Sequence, residues 1–203
     1  VGAKVLQTRS VGLAMRRRLP LRVISSFEDR PGTLIVGEDQ LRDYGMERQV
    51  ITGIAYDKNE ARITLTGLPE GPGVAAAIFG PLAEAGVNYD MIVQGGRGNV
   101  TFTVPRGALA QAADLLARNR DRIGYEDLLT DGAVCKVSIV GVGIRGNPEL
   151  AARMFATLGE RKIDILAIST SEIKVSVLVP QDSTELAVRV LHTAFGLDAE
   201  QAA

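Results

Sequence analysis

Arg62-Ile-Thr-Leu-Thr-Gly67, a Pro/Gly loop, a helix containing Phe79 and the run Val87-Asn-Tyr-Asp-Met-Ile-Val-Gln94 form one block of this chain. Lys136-Val-Ser-Ile-Val-Gly141, a second Gly/Pro loop, a helix containing Phe155 and Ile163-Asp-Ile-Leu-Ala-Ile-Ser-Thr170 repeat it. One small module therefore occurs twice in tandem. A repeat unit is one supersecondary block, and neighbouring blocks bury a shared surface, so the joint between copies is the first place to look for function.

Working outward, the first module reads as strand 61–66, helix 73–85, strand 87–94, strand 99–105, helix 107–122 and strand 125–130. The second reads as strand 134–140, helix 147–160, strand 163–170, strand 172–179 and helix 183–195, with no strand after Gly196. It is one strand short, and Val50 to Tyr56, ahead of the first module, is one strand to spare. Inserting module one (61–131) between the strands of module two (50–57 plus 134–203) balances the count. The fold class is then α+β: two ferredoxin-like βαββαβ domains in tandem, each an antiparallel four-stranded sheet with helices on one face. Leu150, Met154 and Leu158, and likewise Leu186, Val190 and Ala194, supply the apolar helix stripes such a sheet requires. Pro81 lies inside the first module's helix and predicts a kink or a fresh start after Gly80. Residues 1–47 read as a partial domain and linker: helix Thr8 to Arg18, strand Leu21 to Ser25, the turn Asp29-Arg-Pro-Gly32, then a polar stretch through Glu38 to Arg48.

At 203 residues, two modules of roughly 70 residues each are small enough that packing against a neighbour matters. The 23 basic and 24 acidic residues leave a net charge of -1, which gives no electrostatic case for nucleic acid or an anionic membrane. Small metabolites and protein partners remain. Cys135 is the one cysteine, so neither an intrachain disulfide nor a multi-cysteine metal site can form, and no metal site is expected. With no apolar run of about 18 residues and no signal-type start, a cytoplasmic chain is expected. The start is in mid-pattern, as if a segment preceded it.

The loops after each module's first strand carry the chemistry. Pro69-Glu-Gly-Pro-Gly73 leads directly into a helix N-terminus, where first-turn N–H groups and the positive end of the helix dipole suit a carboxylate. For an amino-acid ligand, Glu70 and Asp90 can meet the ammonium, and Gln94 offers both a donor and an acceptor. The same glycines would equally serve a plain turn, and Asp90 a solvated strand position.

Several separate segments carry a resemblance. Gly2-Ala-Lys-Val-Leu-Gln-Thr-Arg-Ser-Val11, Pro20-Leu-Arg-Val-Ile-Ser-Ser26 and Pro31-Gly-Thr-Leu-Ile35 look like the end of the aspartate kinase catalytic domain. Thr52-Gly-Ile-Ala-Tyr-Asp-Lys58, Asp90-Met-Ile-Val-Gln94, Val137-Ser-Ile-Val-Gly-Val-Gly143 and Ile168-Ser-Thr-Ser-Glu-Ile173 resemble that family's paired ACT domains. The match runs almost from end to end. It implies a feedback-regulatory region, in the group built from two large catalytic alpha subunits and two small beta subunits, with residues 1–47 a remnant of the kinase domain and its linker. The family's Lys-Phe-Gly-Gly-Thr type of phosphate motif is missing: none of the five lysines, Lys4, Lys58, Lys136, Lys162 and Lys174, precedes paired glycines. The chain is therefore expected not to phosphorylate aspartate alone; ATP and Mg would belong to the complete enzyme, no cofactor to this chain, and Lys4 reads as a vestige.

The resemblance also places an effector, threonine and/or lysine, in the seam between two chains paired as a homodimer through their ACT domains. The matching positions are Glu70, Gly73, Ala75, Asp90 and Gln94 of one chain, with Lys162, Ile163, Asp164 and Ile165 of the other. The threonine-binding pattern has asparagines at Lys162 and Asp164 and aspartate at Glu70, so the place is better specified than the effector. A free-standing amino-acid sensor with no kinase attached is the alternative.

Other features take structural readings. His192 sits on the last helix with no acid or nucleophile in register, Arg16-Arg17-Arg18 reads as a solvated helix end, and Cys135 as a small core residue. The loop Gly143-Ile-Arg-Gly-Asn-Pro-Glu149 reads as a tight turn, with a second ligand pocket as the other option. An RNA-binding sheet would need aromatics on its central strands, and Arg-Ile-Thr-Leu-Thr and Lys-Val-Ser-Ile-Val supply none.

Overall fold

A computed structural model describes residues 6–37, 51–96, 98–141 and 144–198. Lys4, the polar stretch 38–48 and positions 142–143 of the second loop lie outside them. The chain forms two compact units, Val1–Val50 and Ile51–Ala203.

In the first unit, helix α1 (Thr8–Arg16) precedes strands β1 (Leu21–Val23) and β2 (Thr33–Ile35), which pair antiparallel. Arg18 takes a left-handed backbone (φ 53°) and turns the chain out of α1, and the Leu19 N–H returns to the Ala14 carbonyl at 2.9 Å. Strand β2 was not legible, because three residues beside a Pro-Gly turn carry too little alternation.

The second unit is built on two long strands, β3 (Ile51–Thr66) and β6 (Asp127–Gly141), paired antiparallel along their length. Helix α2 (Val74–Glu84) and strands β4 (Asp90–Gly95) and β5 (Asn99–Pro105) follow β3; helices α3 (Leu109–Arg118) and α4 (Arg120–Ile123) then lead to β6. After β6 come helix α5 (Pro148–Glu160), strands β7 (Ala167–Thr170) and β8 (Lys174–Pro180) and helix α6 (Thr184–Ala194). The sheet order is β4-β5-β3-β6-β8-β7. The first module uses the later half of β3 with β4, β5 and the earlier half of β6. The second uses the later half of β6 with β8 and β7, and takes the earlier half of β3 as its fourth strand. This is the ferredoxin-like pair, one module inserted in the other, that the strand count demanded.

One correction concerns continuity. The sequence suggested breaks between 56 and 61 and between 130 and 134, whereas both strands run through. The pairing shifts register at Asp57/Glu60 and Glu60/Arg62 instead of ending. Aspartates absorb the slips: Asp57 Oδ1 accepts the Asn59 N–H at 2.8 Å, and Asp131 Oδ1 accepts the Ala133 N–H at 2.9 Å. Two modules thus share one ladder.

Alternation along the strands sorts the side chains. Ala61, Ile63, Leu65, Phe102 and Val104 face α2 and α3, where Ile78, Leu82, Ala112 and Leu116 close the first core. Cys135, Val137, Ile139, Val175, Val177 and Val179 face α5 and α6 and pack on Met154, Leu158, Ala187 and Leu191. On α5 the expected stripe holds; on α6 it is turned by one residue, because Ala187 and Leu191 are fully buried while Leu186 and Val190 sit at the flank. Helix α2 also departs from expectation, running unbroken through Pro81, whose ring is buried. A third cluster, Met91, Val134, Ala167 and Leu178 with Val93 and Leu166, lies on the other face and packs β4 near β7, so the modules also meet there.

Candidate functional site

The later half of β3 and strand β4 both run antiparallel to β5, so their C-terminal ends lie at the same end of the sheet. The loop 67–73 and Gln94 are neighbours for that reason. The Leu68 N–H donates to the Gly98 carbonyl at 2.8 Å, tying the loop to the β4–β5 turn. Gly98 (φ 71°) permits this approach, since a Cβ there would stand 2.3 Å from the Leu68 carbonyl oxygen. Gly73 (φ 99°) caps α2, and its carbonyl accepts the Ala77 N–H at 2.9 Å. Glu70, Gly73, Ala75 and Gln94 are all exposed at this end, with the first-turn N–H groups of α2 among them. The arrangement can hold a small zwitterion: backbone donors for a carboxylate, Glu70 for an ammonium, and the Gln94 amide for a polar side chain.

Asp90 is not with them. It starts β4 while Gln94 nearly ends it, a separation of roughly 13 Å at the strand rise. Its carboxylate is engaged within the chain: Oδ1 accepts the Met91 N–H at 2.8 Å and Oδ2 accepts Lys136 Nζ at 3.0 Å. Lys136 Nζ also donates to Glu60 Oε1. Glu60 and Lys136 are buried, with side chains 7% and 10% exposed, whereas Asp90 is 53% exposed. Burial pushes the Asp90 carboxyl upward, but the Met91 N–H and the Lys136 ammonium outweigh it and hold the group below the usual carboxylate range. Burial likewise presses the Lys136 ammonium down, and Glu60 and Asp90 more than compensate, keeping it above the ordinary lysine value. Sequence reading missed Glu60 and Lys136. The signal was present: a lysine inside Val134-Cys-Lys-Val-Ser-Ile139, a run buried on both faces, must find a carboxylate.

The four second-module positions lie between α5 and β7. Lys162 takes the left-handed backbone (φ 55°) that ends α5. Its own N–H goes to the Gly159 carbonyl and the Ile163 N–H to the Leu158 carbonyl at 3.0 Å, so the Ile163 N–H is engaged within the chain. The Ile163 side chain is in the core; Lys162 and Asp164 are exposed and Ile165 half-buried. Among the described residues, no side-chain hydrogen bond or ion pair joins these four to the loop 67–73 of the same chain.

The second module's corresponding loop does form a cavity, about 400 Å3, lined by Ile144, Asn147, Pro148, Ala151, Thr170 and Glu172 among others. His192 is partly exposed, with Nδ1 3.2 Å from Asp198 Oδ1, and Cys135 is fully buried. Burial raises the Cys135 thiol above its ordinary value and leaves it unreactive.

Comparison with known proteins adds the family. The ACT domain matches residues 63–119 and 137–195. An aspartokinase of Pseudomonas aeruginosa is 46% identical over 203 residues, covering 98% of this chain and 49% of that protein. The chain thus spans about half the length of the curated relatives it matches. A crystal structure of aspartokinase alpha and beta subunits is 51% identical over 72% of this chain and 99% of its own, with a TM-score of 0.70. The ligand-free regulatory subunit of aspartate kinase from Thermus thermophilus is 39% identical, covers 72% of this chain and 98% of its own, and has a TM-score of 0.68. The tandem, interleaved ACT modules and these likenesses agree: the chain belongs to the aspartokinase family and comprises its regulatory ACT-domain region.

Proposed function

We propose that this chain senses an end-product amino acid, threonine ahead of lysine, and passes the signal to a catalytic aspartokinase partner that phosphorylates aspartate with ATP. The observation that carries the reading is the convergence of the glycine-bearing loop 67–73, the start of α2 and Gln94 at one end of β4, a strand that pairs on one side only. Both such edge strands present apolar side chains: Ile92 and, just before β4, Tyr89 on one, Ile168 and, beyond β7, Ile173 on the other. An unpaired apolar edge seeks a second strand, which favours a homodimer in which β4 of one copy lies beside β7 of the other. The ligand would then be held by Glu70, Gly73, Ala75 and Gln94 of one copy and by the 162–165 segment of the next. Lys162 disfavours a second ammonium beside it by Coulomb repulsion, which supports threonine; Asp164 is the feature that would suit lysine.

Nucleotide chemistry is assigned to the partner. Among the described residues no three His, Cys, Asp or Glu side chains cluster so as to hold a metal ion. The first unit exposes Leu13, Met15, Leu19, Ile24 and Phe27, apolar surface suited to contact with a catalytic body.

Thermal unfolding measured with each of the twenty amino acids tests the reading. A ligand bound by the assembled state raises Tm as RT ln(1 + [L]/Kd). Threonine is expected to raise Tm, lysine less so, with light scattering showing a species twice 21.6 kDa. No shift with any amino acid, or a monomer at micromolar concentration, would refute the seam.

A further inference from the structure

Asp90-Met91 in the first module corresponds, position by position, to Leu166-Ala167 in the second. In the second module these positions are apolar. In the first they hold a charge and a strained backbone: Met91 has φ 47°, left-handed for a residue with a side chain, and that side chain is only 2% exposed. The pairing of β4 with β5 slips between Asp90 and Val93, just where Met91 turns in. Three contacts hold this start in place. The Asp90 carboxylate accepts the Met91 N–H, Lys136 on β6 binds the same carboxylate, and Met91 packs with Val134, Ala167 and Leu178 of the second module. Lys136 in turn is anchored by Glu60, on the stretch of β3 where its register with β6 shifts from one module to the other.

We propose that Lys136 is a positioning residue for the first-module seam: shared between Glu60 and Asp90, its ammonium fastens the strained start of edge strand β4 to the second module and so sets the strand that presents Gln94. Charge and geometry both support this. A buried lysine requires a buried carboxylate, and Glu60 supplies it; the second bond, to the half-exposed Asp90, adds a smaller share of that compensation and also bridges β6 to β4. Lys136 touches no ligand in this scheme. It acts through β4, and only the last step, presentation of Gln94, rests on the effector reading.

Amide hydrogen exchange on the ligand-free chain is the test, using two variants. Asp90→Asn leaves Lys136 on Glu60 and can still accept the Met91 N–H, so the fold is kept and only the charged bridge is cut. Lys136→Met with Glu60→Gln removes the bridge from the other side without stranding a buried charge. Both are expected to speed exchange of the amides from Met91 to Gln94 by about tenfold or more, leaving the β3–β5 ladder at its wild-type rate, as a local opening requires. Amino-acid affinity, measured by titration, is expected to fall in both variants. Unchanged exchange in β4, or a uniform rise across β3, β5 and β6, would overturn the proposal, the latter by showing a general stabilising role. If the wild-type chain binds no amino acid the effector reading fails, while the exchange pattern still decides what Lys136 does.

Discussion

Gly86 and Lys162 end corresponding helices in the same left-handed conformation, at φ 71° and 55°, and return the same hydrogen bonds, from Val87 to Leu82 and from Ile163 to Leu158. Three residues beyond the following core residue the modules part. The first goes on to Asp90, Met91 and a charged tie to Lys136; the second goes on to Leu166 and Ala167, which simply pack. The loops differ likewise. Loop 67–73 is exposed from Pro69 to Gly73, whereas the second module lines a cavity with Ile144 and Pro148 and puts Thr170 where the first has Gln94. A duplicated module can thus keep its core and its turns while the start of one copy's edge strand is tied by charge and the other's is held by apolar packing.

The shared strands give the largest effects with which to probe this comparison. Because β3 and β6 belong to both modules, Phe102→Ala in the first core and Met154→Ala in the second, both at 0% exposure, are each expected to cost about 2–5 kcal/mol. Both should displace one common unfolding transition in urea. Two transitions, with each variant moving its own, would mean that the modules are energetically separate despite the continuous ladder.

Ligand affinity sharpens the contrast between the two loops. Gln94→Ala is expected to weaken threonine binding by about 1–3 kcal/mol through its lost hydrogen bonds, and Thr170→Ala to leave it unchanged in calorimetric titration. The reverse order would move the site to the second module.

A smaller effect comes from the two helix ends. Lys162→Gly relieves a left-handed lysine and is expected to stabilise the chain by up to about 1 kcal/mol, with Gly86→Lys destabilising it by a similar amount. Equal and opposite shifts in the urea midpoint would show that the two turns are energetically equivalent.

The smallest effect is acid sensitivity of the first-module tie. The Asp90 carboxyl is held below its unfolded value of about 4, so its contribution is present above that value and lost as pH falls through the lower, folded one. Lys136 runs the other way: its contribution is present below the unfolded lysine value and lost as pH rises through the raised, folded one. Asp90→Asn should lower stability slightly at neutral pH, where the charged bridge is present, and converge on wild type in acid, so that its acid limb is flatter. An identical acid limb in both proteins would contradict the tie.

Much of this architecture was legible in the sequence, because it rests on periodicity. The repeat, the spare strand Val50 to Tyr56 and the short second module required an interleaved pair of ferredoxin-like folds, and the loop after the first strand announced a helix N-terminus. What escaped were features set by tertiary context. Asp57-Lys-Asn-Glu60 has the composition of a turn, and only its partner strand turns it into a bulge. Pro81 breaks isolated helices, yet here its buried ring is carried within α2. The tie of Asp90 to Lys136 was hidden because the two residues lie 46 positions apart in the chain. Lys162 matched a binding pattern by position, while its backbone serves to end a helix.

Residue-resolved amide protection on adding threonine tests the first-module seam most directly. Protection is expected at Val74 to Ala77, at Gln94 and at Asp164 to Ile165, with the amides from Glu149 to Ala151 and at Thr170 unaffected. Protection confined to the loop around Ile144 to Ala151 and Thr170, with none near Gln94, would contradict it.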